Sequence, residues 1–170
     1  MKTYLTYALV LAIAGSLLTF GLFFLGYHSD PEKVATAQWI GIIAMVILTF
    51  VIVYLGTKAR AATIPPEERF GYGRALGAGV MIVLFGSLFG VLTNYAYFQF
   101  INPGFVDVLV QAKSSKLEAT GVSATQLDQM EQGIRMMMKP PIIAVFGFFQ
   151  GMLSGTLIAL ITSAFARRST

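Results

Sequence analysis

The sequence predicts an all-α membrane protein with four transmembrane helices and an amphipathic helical hairpin between the third and the fourth. Of the 170 residues, 56% are hydrophobic and only 12% are charged, whereas soluble domains carry about a quarter charged residues. Four long runs contain no Asp, Glu, Lys or Arg: residues 3–27, 34–57, 75–106 and 140–166. Each run exceeds the roughly 20 apolar residues that a helix needs to cross a ~30 Å hydrocarbon core.

The predicted spans cover about 4–27, 36–57, 74–101 and 140–166 of a single membrane domain, residues 1–170. The first run resembles a signal peptide, because Lys2 precedes it and Ala12-Ile13-Ala14 is similar to a cleavage site. The apolar stretch continues to Tyr27, however, which favours an uncleaved first span. The absence of cysteine excludes disulfides and thiolate catalysis.

The distribution of basic residues predicts the orientation, since Lys and Arg concentrate in cytoplasmic loops. The side with both termini and the second loop carries seven basic and two acidic residues; the opposite side carries five basic and six acidic residues. Both termini are therefore expected to be cytoplasmic, with the hairpin outside, in a bacterial inner membrane. The basic excess then reflects topology and attraction to anionic lipids, and no nucleic-acid partner is expected.

Two loops carry helix signals. Thr63, Pro65-Pro66 and the glutamates after them predict that the third helix begins there, in the headgroup region. The outer segment, about 104–138, predicts two amphipathic helices joined by a turn at Gly121, with a capping box over Ser123–Gln126. This hairpin would lie on the membrane surface, cap the bundle or bind a partner.

Small residues at steps of four mark one face of the fourth span, and a second stripe of glycines marks the third span. Small side chains at this spacing let helix backbones approach closely, and packing is the main force between helices in lipid. We therefore expect helix packing, within the bundle or between subunits, through Gly147, Gly151, Gly155, Ala159, Gly86 and Gly90. A substrate groove along the glycine face is the alternative.

Two amides lie inside the predicted spans. At ~1.5 Å per residue, Asn94 is about 10 Å and Gln150 about 16 Å from the outer ends of their helices. An unpaired amide in hydrocarbon is costly, so we expect Asn94 and Gln150 to form a hydrogen-bonded pair. The alternatives are bonds to backbone carbonyls, contact with headgroup water, or a role in ligand binding.

The end of the third span is rich in aromatic residues. Tyr95, Tyr97, Phe98 and Phe100 are typical of the aromatic belt at headgroup level, with an aromatic cage as the alternative. Pro103-Gly104 then ends the helix.

Metal binding is not expected. His28, Asp30 and Glu32 alternate in the first outer loop, but they lack the usual zinc-ligand spacing, and solvation at the surface is favoured. The side chains of the consecutive residues Met136, Met137 and Met138 point in different directions around a helix, so packing is favoured over copper ligation.

The predicted spans contain no acid or base, and such residues usually mark ion-coupled transport and intramembrane catalysis. The sequence also lacks a Gly-rich phosphate loop, a Ser-His-Asp set and a His-Glu metal motif. We therefore expect no enzyme activity, no catalytic residues and no cofactor.

Four stretches together resemble the bacterial membrane proteins known as domain of unknown function 4199: FGYGRALGAG, YAYFQFINPGF, VSATQLDQMEQGIRMMMKP and the terminal FARR. The resemblance covers nearly the whole chain in order. It implies the four-span layout and a bacterial inner-membrane location, and it supplies no activity or site residues.

The sequence thus favours a non-enzymatic protein that acts through interaction, as an accessory subunit, a scaffold or a homo-oligomer packed through the fourth-span glycines. Its expected partners are the lipid bilayer and a membrane protein or a second copy of itself. The alternative is a small transporter or channel for an apolar or zwitterionic solute or lipid, whose path Asn94, Gln99 and Gln150 would line.

Overall fold

The computed structural model describes residues 1–168, which form six α-helices and no strand. The helices are α1 Lys2–Phe24, α2 Val34–Ala62, α3 Tyr72–Ala96, α4 Phe105–Glu118, α5 Ala124–Met137 and α6 Pro140–Ala166. A π-helical turn, Tyr97–Ile101, extends α3. Four helices are long and apolar enough to cross a membrane: α1, α2, α3 with its π turn, and α6. The all-α fold and the four candidate spans are therefore confirmed.

The four long helices form a square bundle. Helix α1 packs against α2 and α3, and α6 packs against the same two helices, while α2 and α3 also touch across the diagonal. One end of the bundle carries residues 25–33 and the α4–α5 hairpin, and we call it the hairpin end. The other carries Lys2, residues 63–71 and Arg168, and we call it the basic end.

The tightest packing lies in the half of the bundle nearer the basic end. Val53, Ile82, Val83 and Ala159 form one buried cluster, with exposed fractions of 2% or less. A second cluster contains Ala61, Phe70, Ala75 and Ala78. These clusters hold α2, α3 and α6 together in this half.

The prediction that α3 begins at Thr63–Pro66 was wrong. Helix α2 continues to Ala62, and the backbone N–H of Thr63 still donates to Arg60 O. Residues 65–68 form a single turn, in which the Glu68 backbone N–H donates to Pro65 O (3.0 Å), and this turn does not continue into a helix. Arg168 Nη2 donates to the carbonyls of Pro65 and Glu68 instead. Helix α3 begins only at Tyr72, after Gly71.

The predicted amphipathic hairpin is present. Ser123 and Gln126 form both bonds of the capping box, and Gly121 takes the left-handed conformation (φ +76°) that a turn after α4 requires. Leu109 and Ala112 of α4 pack on Val34 of α2, which docks the hairpin on the start of α2.

Candidate binding cavity

A cavity of about 430 Å³ lies between α1, α2, α3 and α6, in the half of the bundle nearer the hairpin end. We call it the main cavity. Its walls come from residues 11–20 of α1, 41–49 of α2, 83–97 of α3 and its π turn, and 147–158 of α6. All four candidate spans thus contribute to one space, and its volume lies within the 300–1,000 Å³ typical of ligand pockets.

Close packing of α6 against α3 closes the floor of the main cavity. A Cβ added at Gly155 would lie 2.5 Å from Val83 Cγ1, and one added at Gly151 would lie 2.7 Å from Ser87 Oγ. One turn further along, a Cβ added at Gly147 would have no neighbouring atom within 4 Å. At Gly147 the α6 backbone therefore borders open space, and this space belongs to the main cavity.

The predicted packing residues fall into two groups: some are in close contact with a neighbouring helix, and others border the main cavity. Gly151, Gly155 and the buried Ala159 contact neighbouring side chains, and a Cβ at Gly86 would lie 3.0 Å from Leu11 Cδ2. Gly90 resembles Gly147, since nothing lies within 4 Å of an added Cβ, and both line the main cavity. Sequence spacing alone did not distinguish the contacting residues from the cavity residues.

Asn94 and Gln150 both line the main cavity. Within residues 1–168 the structure gives no hydrogen bond between the two amides, nor from either side-chain amide to another group, and neither side chain is buried. The structure therefore brings the predicted pair to one space and leaves both amides available to a third molecule.

Most hydroxyl groups around the cavity already use their proton within their own helix. Ser16 donates to Ala12 O (2.8 Å), Thr19 to Gly15 O (3.0 Å) and Ser154 to Gln150 O (2.8 Å). They can still accept a hydrogen bond. The two amides therefore supply the principal free donors.

The main cavity continues sideways between α1 and α2. A groove of about 420 Å³ shares Thr19, Gly41, Ile42 and Met45 with it and reaches His28. We call this the side groove. It gives the cavity an opening between two spans, near the hairpin end.

A buried polar cluster forms the wall of the main cavity at the hairpin end. The Tyr97 hydroxyl lies 2.7 Å from His28 Nδ1, and Asn102 Nδ2 donates to that hydroxyl over 3.0 Å. Asn102 Nδ2 also lies 3.4 Å from His28 O. Tyr97 is only 2% exposed, and Phe20 and Phe23 pack against its ring.

The Tyr97 hydroxyl accepts a hydrogen bond from Asn102 and forms a second one with Nδ1 of His28. In one imidazole tautomer Nδ1 accepts the Tyr97 proton, and in the other Nδ1 donates to the Tyr97 oxygen. Burial lowers the pKa of His28 below its ordinary value of 6.5, because desolvation disfavours the imidazolium.

The π turn positions Tyr97 in the cluster. The backbone N–H of Asn102 donates to Tyr97 O over 2.8 Å, and Asn102 then leaves the helical region (φ −134°, ψ 66°) before Pro103. The predicted assignment of Tyr97 to an aromatic belt was wrong, because Tyr97 is buried. His28 stays partly exposed, and it forms a hydrogen bond with the Tyr97 hydroxyl. Tyr97 and Asn102 lie five positions apart, a spacing that does not place two side chains on one face of an α-helix. Helical periodicity in the sequence therefore could not predict their contact.

The carboxylate of Asp30, in the same loop, is occupied locally. Asp30 forms an ion pair with Lys33 (2.9 Å) and accepts from the Glu32 backbone N–H. Residues 1–168 contain no group of three or more His, Cys, Asp or Glu side chains placed to hold a metal ion.

Four candidate spans around a shared cavity define a polytopic helical membrane protein with a candidate ligand-binding site. The chain matches the family model described as Protein of unknown function (DUF4199) over residues 6–168, and it belongs to that family. The resemblance found in the sequence is thereby confirmed. No curated protein and no solved structure shows a significant match to the chain.

Proposed function

We propose that this protein binds, within the membrane, a mainly apolar solute or lipid whose polar group is neutral or zwitterionic, and that it acts as a small transporter for it. The observation that supports this proposal is the main cavity, which has a ligand-sized volume and two unpaired amides, Asn94 and Gln150, on its walls. A tightly packed bundle without such a cavity would instead have favoured a purely structural role.

The chemistry of the walls indicates the class of ligand. Among residues 1–168, no Asp, Glu, Lys, Arg or His lines the main cavity, so an ion would enter without a compensating charge, at high cost in a low-dielectric interior. Asn94 and Gln150 each offer two donors and one acceptor oxygen. They suit a carbonyl, hydroxyl or amide group attached to an apolar body.

The shape of the cavity suits a carrier better than an open channel. The Gly151–Ser87 and Gly155–Val83 contacts close the floor, while the side groove opens the opposite half between α1 and α2. A site that is open on one side and closed on the other corresponds to one state of alternating access. Release on the other side would require α3 and α6 to separate at the floor.

The proposal includes an orientation of the protein in the membrane. We infer that both termini and the basic end face the cytoplasm of a bacterial cell and that the hairpin end faces outward, because seven of the twelve basic residues lie on the first side. We also infer a non-enzymatic role, since the main cavity holds amides and hydroxyls but no acid, base or activated nucleophile.

The exposed surface of α5 supports a second candidate function, as an accessory subunit or scaffold. Met136 and Met137 are 58% and 60% exposed on this helix, and methionine-rich surfaces adapt to varied partners. A partner or a second copy would use this surface, because α3 already covers Gly151 and Gly155 within the chain.

Native mass spectrometry on protein released gently from its own membranes tests the proposal. The wild-type protein should retain a small molecule or lipid, and Gln150→Leu should lose it, because the leucine removes an amide and keeps a similar volume. Gln99→Leu is the matched control, since Gln99 is exposed and does not line the main cavity. Equal retention by all three proteins would refute a site at Gln150, and a stoichiometric protein partner without a ligand would favour the accessory role.

A further inference from the structure

The basic end of the bundle holds a separate cavity of about 570 Å³, between the start of α1, the end of α2, the 63–71 loop and the start of α3. We call it the basic cavity. Its polar lining comes from Tyr4, Arg60, Thr63, Glu68 and Arg74. Two arginines against one glutamate leave it positively charged, in contrast to the uncharged main cavity.

Arg60 is held in place at this cavity without an acidic partner. Its Nε donates to the Tyr4 hydroxyl (3.1 Å), its Nη1 donates to Thr63 Oγ1 (2.8 Å), and its guanidinium lies over the Tyr4 ring, 5.6 Å from the centroid. No ion pair within residues 1–168 includes Arg60. A guanidinium has five N–H donors, so three of them stay free for a ligand.

Arg74 adds a second guanidinium. Its Nη1 contacts Glu68 Oε2 (2.9 Å) and Arg69 O (3.2 Å), while its Nε and Nη2 make no hydrogen bond within residues 1–168. Both members of the Arg74–Glu68 pair are more than half exposed, and exposed pairs of this kind are weak. Arg74 is therefore able to contact a ligand in the basic cavity.

Arg168 fixes the loop that forms one wall of the basic cavity. Its Nη2 lies 2.8 Å from Pro65 O and 3.1 Å from Glu68 O, and its backbone N–H donates to Phe70 O (2.9 Å). Phe70 is 1% exposed in the core. The wall is thus anchored before any ligand binds.

From this arrangement we propose that the basic cavity binds the phosphate group of a phosphate ester through Arg60 and Arg74. The planar fork of arginine matches phosphate oxygens in a bidentate manner. The cavity lies where two candidate spans end, and basic pockets between transmembrane helices bind anionic lipid headgroups. A phospholipid headgroup and a soluble phosphate ester share this chemistry, and the proposal is independent of the ligand in the main cavity.

The test measures binding to the full-length protein in a nonionic detergent. The probes are dioleoylphosphatidylglycerol, dioleoylglycerol, which has the same chains without the phosphate, and glycerol 3-phosphate, which has the phosphate without the chains. Binding is followed by the rise in melting temperature and by native mass spectrometry. The phospholipid should raise the melting temperature, and dioleoylglycerol should not.

Substitutions test whether phosphatidylglycerol binds in the basic cavity. Arg60→Gln and Arg74→Gln should each weaken phosphatidylglycerol binding about tenfold, as expected for the loss of a charge-assisted contact. Lys58→Gln is the matched control, because it removes the same charge two positions away, where Lys58 lies over the Tyr54 ring outside the cavity. Arg74 is exposed, so its variant tests the site even if Arg60→Gln does not fold.

The outcomes separate the two sources of phosphate. Stabilisation by glycerol 3-phosphate alone, with the same dependence on Arg60 and Arg74, would identify a soluble ester; stabilisation only by the phospholipid would identify a headgroup site. The proposal is overturned if dioleoylglycerol acts as well as the phospholipid, if no probe stabilises the protein, or if Lys58→Gln weakens binding as much as the arginine variants.

Discussion

The Tyr97 hydroxyl and His28 Nδ1 lie 2.7 Å apart, although 69 positions separate the two residues in the sequence. This contact joins the π turn after α3 to the loop after α1. Tyr97 lines the main cavity and His28 lines the side groove. The hydrogen bond therefore lies between the cavity and its sideways opening.

Tyr97→Phe should destabilise the protein by about 1–2 kcal/mol. The ring contacts with Phe20 and Phe23 would remain, but Nδ1 of His28 and Nδ2 of Asn102 would lose their shared partner, and a buried unpaired polar group costs about 1–3 kcal/mol. Reversible unfolding in detergent measures the change. Tyr95→Phe is the control, because Tyr95 is 48% exposed and lies outside the cluster; equal effects of the two variants would contradict the importance of the bond.

Stability should depend on pH through His28. Because burial lowers its pKa in the folded state below 6.5, the unfolded chain binds a proton first as the pH falls. The contribution of His28 to the free energy of unfolding should be constant above about pH 6.5, decrease between 6.5 and the lowered folded-state pKa, and level off below it. Unfolding measured from pH 8 to 5 checks this sign.

The control for the pH profile is His28→Gln, which should remove the slope below pH 6.5. Two neighbours in the loop titrate outside this window: the hydrogen bond from Lys33 lowers the pKa of Asp30 below 3.8, and the same contact raises the pKa of Lys33 above 10.5. A slope that persists in the variant would assign the pH dependence to another group.

Residue composition predicted the long-range layout well. The charge-free runs identified four spans because charged side chains are costly in hydrocarbon, and Ser123 with Gln126 identified the start of α5 because a capping box is local chemistry. The start of α3 was misplaced because the proline signal at residues 65–66 also fits a linker, and only the tertiary contacts of Arg168 show which applies.

The candidate site was harder to predict, for a different reason. Asn94 and Gln150 were found because amides are rare in apolar helices, but the space that they line depends on how α1, α2, α3 and α6 pack together, which no local pattern encodes. His28, Tyr97 and Asn102 come from separate segments. Their contact depends on the π turn and was not visible in helical periodicity.

Gly151→Leu should destabilise the protein by about 1–3 kcal/mol, the usual cost of overpacking. A Cβ at this position would lie 2.7 Å from Ser87 Oγ and 3.4 Å from Ser87 Cβ, so the further atoms of a leucine would have to displace Ser87 or the helix that carries it. Gly147→Leu, one turn away, should not lower the melting temperature, since no described residue lies within 4 Å of its added Cβ. Equal melting temperatures for the two variants would contradict the assignment of the cavity floor.

The same Gly147→Leu variant should reduce ligand retention in native mass spectrometry, because the new side chain would occupy part of the main cavity. A stable variant that loses its ligand would separate binding from folding. Full retention would indicate that the ligand does not use this part of the cavity.

Gly56 and Gly41 lie on the same helix, α2, but Gly56 is closely packed and Gly41 is not. Sequence analysis did not single out Gly56. A Cβ at Gly56 would lie 2.6 Å from Ile82 Cδ1 and 2.8 Å from Tyr7 Cγ, whereas one at Gly41 would meet nothing within 4 Å. Gly56→Ala should therefore destabilise the protein by about 1–3 kcal/mol through overpacking. Gly41→Ala should stabilise it by roughly 0.5–1 kcal/mol, because alanine loses less backbone entropy in a helix. Gly56→Ala should lower the free energy of unfolding below the wild-type value, and Gly41→Ala should raise it. If both variants changed the free energy of unfolding in the same direction, α1, α2 and α3 would not be in close contact at Gly56.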